Sequence, residues 1–325
     1  MNSQNDIFSL NKYNNLLLAG GISSDSSIIN NPNYGWHGGG DDGNVVLSSV
    51  DRITYATDTN TASIRGNLST IRDSHAAAGN TTDGWYGGGF DSNDYLSSVD
   101  RITYAIDTDT ASVRGNLSIE RYECAAAGNT TDGWYAAGRN SSITLSSVDR
   151  ITYATDTDTA SIRSNLSITR YANAAAGNTT DGWYSGGFDN NSKYLSSVDR
   201  ITYATDTNTA TVRCNLSVIR CNHAAAGNST NGWYTGGFSD NDYLSSVDRI
   251  TYATDTNIAS VRGNLSTVRY AHAAAGNTTD GWYSGGYDDG GNGLSSIDRI
   301  TYATDTNTSS IRGSLSINRA SHAAT

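Results

Sequence analysis

Residues 84–132 read GWYGGGFDSNDYLSSVDRITYAIDTDTASVRGNLSIERYECAAAGNTTD, and nearly the same wording starts six times in the chain. The six tryptophans fall at Trp36, Trp85, Trp134, Trp183, Trp233 and Trp282, spaced 49, 49, 49, 50 and 49 residues apart. A fixed period of this size, rich in turn residues, marks a solenoid, a propeller or an array. Within the unit the pattern predicts four β segments. An inner strand covers His75 to Gly79, and a turn over Asn80 to Gly84, with its Asp-Gly step, leads to a second strand from Trp85 to Gly89. A third strand spans Leu96 to Ala105 and reverses through Asp107 to Thr110 into a fourth at Ala111 to Gly115. Four short strands per unit make a propeller blade, so the fold expected is all-β: a six-bladed propeller with repeats starting near Gly35, Gly84, Gly133, Gly182, Gly232 and Gly281. Residue sizes agree with that geometry. Blades converge on an axis, so the slim Ala76-Ala77-Ala78 suits the innermost strand, while Trp85 and Tyr86 alternate to opposite faces and fill the gaps toward both neighbouring blades.

The order Arg121, apolar strand, strand ending in a glycine doublet, Ser-Val-Asp-Arg, then a Thr-Asn-Thr type of turn resembles the kelch repeat over nearly the whole chain. Two departures stand out. The kelch tryptophan after that turn is replaced by sequences of the Ala111-Ser112-Val113 type, and repeat three has Ala136-Ala137-Gly138 in place of the doublet. The wording GWYSGG, SSVDRITYATDT and AAAGN is also similar to kelch-like repeats of predicted structural and tail-fibre proteins of marine phages, which implies a virion context.

Composition limits the rest. The 325 residues include 34 Gly and 20 Tyr but one Pro, which suits short strands and many turns. No apolar stretch approaches the roughly 18 residues of a membrane span, and the start MNSQNDIFSLNKY lacks the layout of a signal peptide, so the expectation is a protein with no membrane insertion. A formal charge of −11 repels a phosphate backbone, which argues against a nucleic-acid partner. Cys124, Cys214 and Cys221 stand where sister repeats carry other residues and show no CxxC spacing; they read as free thiols. The Asn-Leu-Ser and Asn-Thr-Thr sequons matter only in a secretory pathway.

The ends of the chain compete for one place. Phe8 to Ala19 matches the register of Leu265 to Gly276, so the N-terminal arm (residues 1–34) offers an inner strand, followed by a long loop from Gly21 to Tyr34 that holds Pro32. Arg319 to Thr325 offers the same strand again. The ring of residues 35–325 is expected to close by pairing of strands from opposite ends of the chain, with either terminus as the latch and the other displaced or free to pair with a partner's sheet edge.

A catalytic site is needed once, not six times, and no nucleophile, phosphate loop or unique carboxylate pair breaks the repeat convincingly. The reading is therefore no catalytic residue, no cofactor and no metal. His75, His223, His272 and His322 start inner strands and could ring the pore mouth, but zinc wants three or four convergent ligands and these lie on different blades. Asp100-Arg101 and its sisters, with Arg114 and Arg121, read as a ladder of ion pairs between blades. Asp240-Asn241-Asp242 lacks the full oxygen set of a calcium loop.

Differences between repeats carry the functional signal. The first and third turns (GNTTDG and ATDTNT types) are almost copied, whereas the second-to-third connection and the connection between blades vary. Antiparallel strands put these two variable connections on one face of the disc and the copied turns on the other. The second-to-third loops of that face hold nine Asp against Arg139 and Lys193, a net of −7 out of −11, beside a set of tyrosines. Tyr among Asp, Asn and Ser suits a sugar or protein contact surface. The candidate binding residues are Asp91, Asp94, Tyr95, Tyr122, Tyr171, Tyr194, Asp240, Tyr243, Tyr270 and Asp288, with the tyrosines expected on the solvent side. The expected function is a non-enzymatic virion structural or host-recognition propeller, with virion or other protein subunits and a host glycan or surface protein as partners. The alternatives are a cytoplasmic kelch-like interaction scaffold and a propeller glycosidase or lyase.

Overall fold

The computed structural model describes residues 31–240 and 242–325. Its strands form six four-stranded antiparallel sheets. Blade 1 contains β1 (Tyr34–Gly38), β2 (Ser49–Thr54) and β3 (Ser63–Asn67); blade 2 is β4 (Ala76–Gly79), β5 (Asp83–Gly87), β6 (Ser98–Thr103) and β7 (Ser112–Asn116). Blade 3 is β8 (Ala125–Gly128), β9 (Asp132–Ala136), β10 (Ser147–Thr152) and β11 (Ser161–Asn165); blade 4 is β12 (Ala174–Gly177), β13 (Asp181–Ser185), β14 (Ser197–Thr202) and β15 (Thr211–Asn215). Blade 5 is β16 (Ala224–Gly227), β17 (Asn231–Thr235), β18 (Ser246–Thr251) and β19 (Ser260–Asn264); blade 6 is β20 (Ala273–Gly276), β21 (Asp280–Ser284), β22 (Ser296–Thr301) and β23 (Ser310–Ser314). The two-residue β24 (Ala323–Ala324) completes blade 1. This is a six-bladed β-propeller. Among the described residues no helix is long and apolar enough to cross a membrane.

Element bounds differ from the sequence reading in ways that have physical causes. The second strand of blade 2 stops at Gly87, and Gly88-Gly89 leaves it with φ +74° and +102°. A Cβ on Gly88 would lie 2.4 Å from the Arg121 carbonyl oxygen, so the doublet is a bend with close backbone approach and not strand. In repeat three, Ala137 takes the first of these positions at φ 65°. At the corresponding glycines of four other blades a Cβ would meet a histidine Cε1, 2.8 Å from that of His223 at Gly186; after Ala137 the repeat has Asn173 at that histidine's position. The third strand ends at Thr103, and Tyr104–Ile106 turns as a 3₁₀ helix that brings the Tyr104 ring onto Trp36 of the preceding blade.

That Trp–Tyr stack is the repeating unit of blade contact. Trp36 and Tyr104 lie 3.7 Å apart at 6°, and Trp85–Tyr153, Trp134–Tyr203, Trp183–Tyr252, Trp233–Tyr302 and Trp282–Tyr55 complete the ring. Tyr86 points the other way and donates its hydroxyl to the Trp36 carbonyl, as alternation along a strand requires. Each stack is edged by a carboxylate. Asp107 accepts from Trp36 Nε1 at 2.7 Å, Arg52 at 3.1 Å and Arg65 at 2.6 Å, all from blade 1. Burial alone would raise the Asp107 pKa, but the bonds from Arg65 and Trp36 and the charge of Arg52 hold it below the usual carboxylate range.

A second ladder is fully buried. Asp100 accepts from Ser69 N at 2.6 Å and Ser69 Oγ at 2.7 Å and pairs with Arg72, whose guanidinium also donates to the Gly88 and Ser98 carbonyls. The expected inter-blade ladder is thus present, though Asp100 and Arg101 serve opposite seams: Arg101 reaches forward to Asp156. The copied turns have their own network. Asn80 Oδ1 accepts from the Thr82 and Asp83 amides, and Asp83 accepts from Thr82 Oγ1 and Thr103 Oγ1, which uses every polar residue of Asn-Thr-Thr-Asp except the second.

Closure falls to the C-terminus. Ala323 and Ala324 pair with Gly38 and His37, and Thr325 exchanges both backbone hydrogen bonds with Trp36. The candidate N-terminal strand over residues 8–19 lies outside the described residues, as does most of the loop expected from Gly21. Its last part is a copy of the sister turns: Asn33 N donates to Asn31 Oδ1, and Asn31 Nδ2 donates to the Thr81 carbonyl, as Asn80 Nδ2 does to that of Thr130. Pro32 stands where the sisters carry a threonine (Thr81, for example) or serine.

Replacing Asp156 by Ala removes the shared acceptor of Trp85, Arg101 and Arg114. We expect a loss of about 3 kcal/mol, because two guanidinium groups and a buried indole N–H are left without their partner. Urea unfolding of the variant checks this, and a loss under about 1 kcal/mol would contradict a central role for the clamp.

Candidate functional site

The two variable connections meet on one face, as the alternation of strands requires. Beyond each glycine bend one residue bridges both: Phe90 pairs with Asp73 of the connection between blades and with Tyr95 of the second-to-third loop. Arg139, Phe188, Phe238, Tyr287 and Asp41 do the same in the other blades. The loop then turns on a side-chain cap. Asp91 Oδ1 accepts from the Asn93 and Asp94 amides at 2.9 and 2.7 Å, and Asp288 accepts from the Gly290 and Asn292 amides and the Asn292 side chain. These bonds hold the Asp91 and Asp288 carboxyls below their usual range. Asp91 and Asp288 therefore shape the loops, as Asp42, Asn140 and Asp189 do in theirs. Asp94 and Asp240 are exposed at loop tips.

The tyrosines do not stand singly in solvent. Of Tyr95, Tyr122, Tyr171, Tyr194, Tyr243 and Tyr270, Tyr243 is the most open at 38% and the rest are half-buried. They are joined into an arc around the face. Tyr95 stacks on Tyr122 at 4.8 Å, and the Arg139 guanidinium sits over both Tyr122 and Tyr171 at 4.9 and 4.3 Å while pairing with Glu123 at 2.7 Å. Tyr171 stacks on Phe188, Phe188 meets Tyr194, and Tyr194 meets Phe238 of the next blade. Phe238, Tyr243, Tyr270 and Tyr287 carry the contact on, and the Tyr287 hydroxyl donates to Asp41. Burial pushes the Tyr122 pKa up to about 12. The arc breaks at blade 1, where Asp41, Val46 and Ala320 stand in the aromatic positions and Asp73 follows. Burial, with the nearby Asp41 charge, pushes the Asp73 carboxyl up to about 6.

Sequence reading found half of this arc and missed Phe90, Arg139, Phe188, Phe238 and Tyr287. The signal was available: each is the residue directly after a glycine bend, where both loops must pass.

Inside the arc the channel mouth is ringed by Ser74, Glu123, Ala172, Asn222, Ala271 and Ser321, all left-handed at φ between 49° and 56°. Each donates its backbone N–H to the carbonyl of the ring member one blade back, from Ser74 to Ser321 and so on to Ser321 to Ala271, at 2.6–2.9 Å. Six peptide bonds thus form a closed circle of hydrogen bonds. A left-handed non-glycine residue costs about 1 kcal/mol, which the circle offsets. The mouth encloses about 140 Å³, and a second cavity of about 100 Å³ lies deeper along the alanine-lined axis.

The histidines sit beneath this circle and are buried between blades. His223 bonds Ser185, His272 bonds Thr235, and Ser284 bridges His322 and His37. Among the described residues no three His, Cys, Asp or Glu converge on a metal position. Cys124, Cys214 and Cys221 are free and buried. Compared with protein-family models and with curated proteins, the sequence matches none.

Burial, followed by arginine charges or the neighbouring His37, holds His75, His223, His272 and His322 well below 6.5, and brings His37 to about 3. The unfolded chain takes up protons on all five as pH falls through 6.5 and the fold does not, so stability is full above 6.5 and is lost toward about 3. Asp73, between about 6 and 3.8, and Glu123, also raised by burial, act in the opposite sense but are two groups against five. The urea midpoint should drop markedly from pH 7.5 to 5, and His272→Asn, the residue blade 4 uses at Asn173, should make that drop shallower. A pH-independent midpoint would refute the assignment.

Proposed function

We propose that this propeller is a non-catalytic recognition protein whose variable face binds a protein partner, carried as a structural or host-recognition part of a virion. The observation that supports binding is the aromatic arc bordered by acidic loop tips. Tyr, Phe and Arg on a rigid frame give large contact area at low entropy cost, and the longest variable stretches of the repeat lie here. A protein partner is favoured over a glycan because the ring faces of Tyr122 and Tyr171 are taken up by Tyr95, Phe188 and Arg139. Sugars stack on open ring faces, whereas a protein surface can use the edges, hydroxyls and carboxylates that remain. Similarity of the repeat wording to marine phage structural and tail-fibre proteins supports the virion setting.

The test separates surface from packing. Asp94→Lys with Asp240→Lys, both exposed, should change melting temperature little, since surface changes stay within about 0.5 kcal/mol, while weakening attachment to host cells or captured partner at least tenfold. Tyr122→Ala should cost about 1.5 kcal/mol of stability because it is packed in the arc. Unchanged attachment by the double lysine variant would overturn the face assignment. Mass spectrometry of purified particles tests the virion setting separately, and absence of the chain there would favour a cellular scaffold.

A further inference from the structure

Near-identical repeats create a problem of closure. Five inner strands are joined by a short turn to the strand they pair with, and cannot miss it. The sixth, β24, must reach β1 from the far end of the sequence, and any inner strand of another copy carries almost the same wording. A ring with no way to tell them apart would exchange strands between molecules.

The seam of blade 1 departs from the repeat at matched positions. Thr325 stands where every other inner strand has alanine (Ala78 in blade 2, for example), and is buried at 4%. Its hydroxyl accepts from Tyr104 at 3.0 Å and bonds Tyr86 at 3.1 Å. The five sister hydroxyls, such as that of Tyr153, have no protein partner. On the other side of the blade, His37 replaces the tyrosine of all other second strands, and Ser284 Oγ joins it at 2.9 Å to His322 at 3.1 Å. Asn318, where blade connections otherwise have Ile, Glu, Thr or Val, donates to the Asp42 carbonyl at 3.0 Å.

We propose that these residues form a key: the C-terminal strap carries side chains that fit blade 1 and no other blade, so blade 1 is closed by that strap and rejects the internal inner strands of its own or a second copy. Thr325 is the central element, because it alone gives the closing strand a hydrogen bond the internal strands cannot make. A buried hydroxyl pair distinguishes strands more sharply than apolar fit, since a wrong strand leaves polar groups unpaired.

The test uses the full chain refolded from urea, with melting temperature and the monomer fraction by light scattering read on each variant. Thr325→Ala should lower the melting temperature by about 2 °C and raise non-monomeric product several-fold. Thr325→Ser, which keeps the hydroxyl, should behave as the natural sequence. Ala78→Thr is the discriminating variant: it hands the key to an internal strand and offers Tyr153 a partner. It should hold or raise the melting temperature and still raise the non-monomeric fraction. If that fraction follows melting temperature alone across the variants, or Thr325→Ala matches the natural sequence in both readings, Thr325 is not a key and the proposal fails.

Discussion

The fold depends on one contact made six times: an indole stacked on the tyrosine of the next blade, with its N–H and two arginines of its own blade held by that blade's aspartate. The stack contributes apolar area, and the carboxylate fixes the angle between blades because three donors converge on it from one side. A blade has a sheet's two open faces and cannot be stable alone. Each clamp therefore joins elements that exist only through their neighbours. This explains why Trp, Tyr, Asp and both arginines are invariant among the repeats while residues a few positions away are free.

The two faces of the disc divide the remaining constraints. On the copied face, the turns are built from side chains that bond their own backbone, so changing Asn80 or Asp83 would undo the hairpin. On the variable face the backbone bonds itself through the bridge at Phe90 and the circle at the mouth. Side chains there are released from forming the turn, apart from one capping Asp or Asn in most loops. Variation is permitted where the main chain carries the structure.

Most of the architecture was legible in the sequence because period, strand pattern and residue size all pointed the same way. The tryptophan spacing counted the blades, the alanine runs marked the axis, and the alternation of Trp85 and Tyr86 placed the two seams. What was not legible depends on geometry that residue identity does not encode. Four different residue types share the left-handed conformation at the six positions of the mouth, from Glu123 to Ala271, because the conformation is imposed by neighbouring blades. The tyrosines were placed on the correct face but read as solvated, since their packing partners, Phe90 and its sisters, sit beyond a glycine bend that looked like strand. Choosing between the two termini needed the register of Thr325 on Trp36, which a match of wording alone cannot supply.

The circle of backbone bonds at the mouth has an electrostatic consequence. Its six peptide dipoles run head to tail around the rim, so their components cancel, and unlike the end of a helix the ring projects almost no field along the axis. The channel entrance is consequently neutral in its main chain. Among the described residues, the side-chain charge on the rim comes from one carboxylate, Glu123, already paired with Arg139.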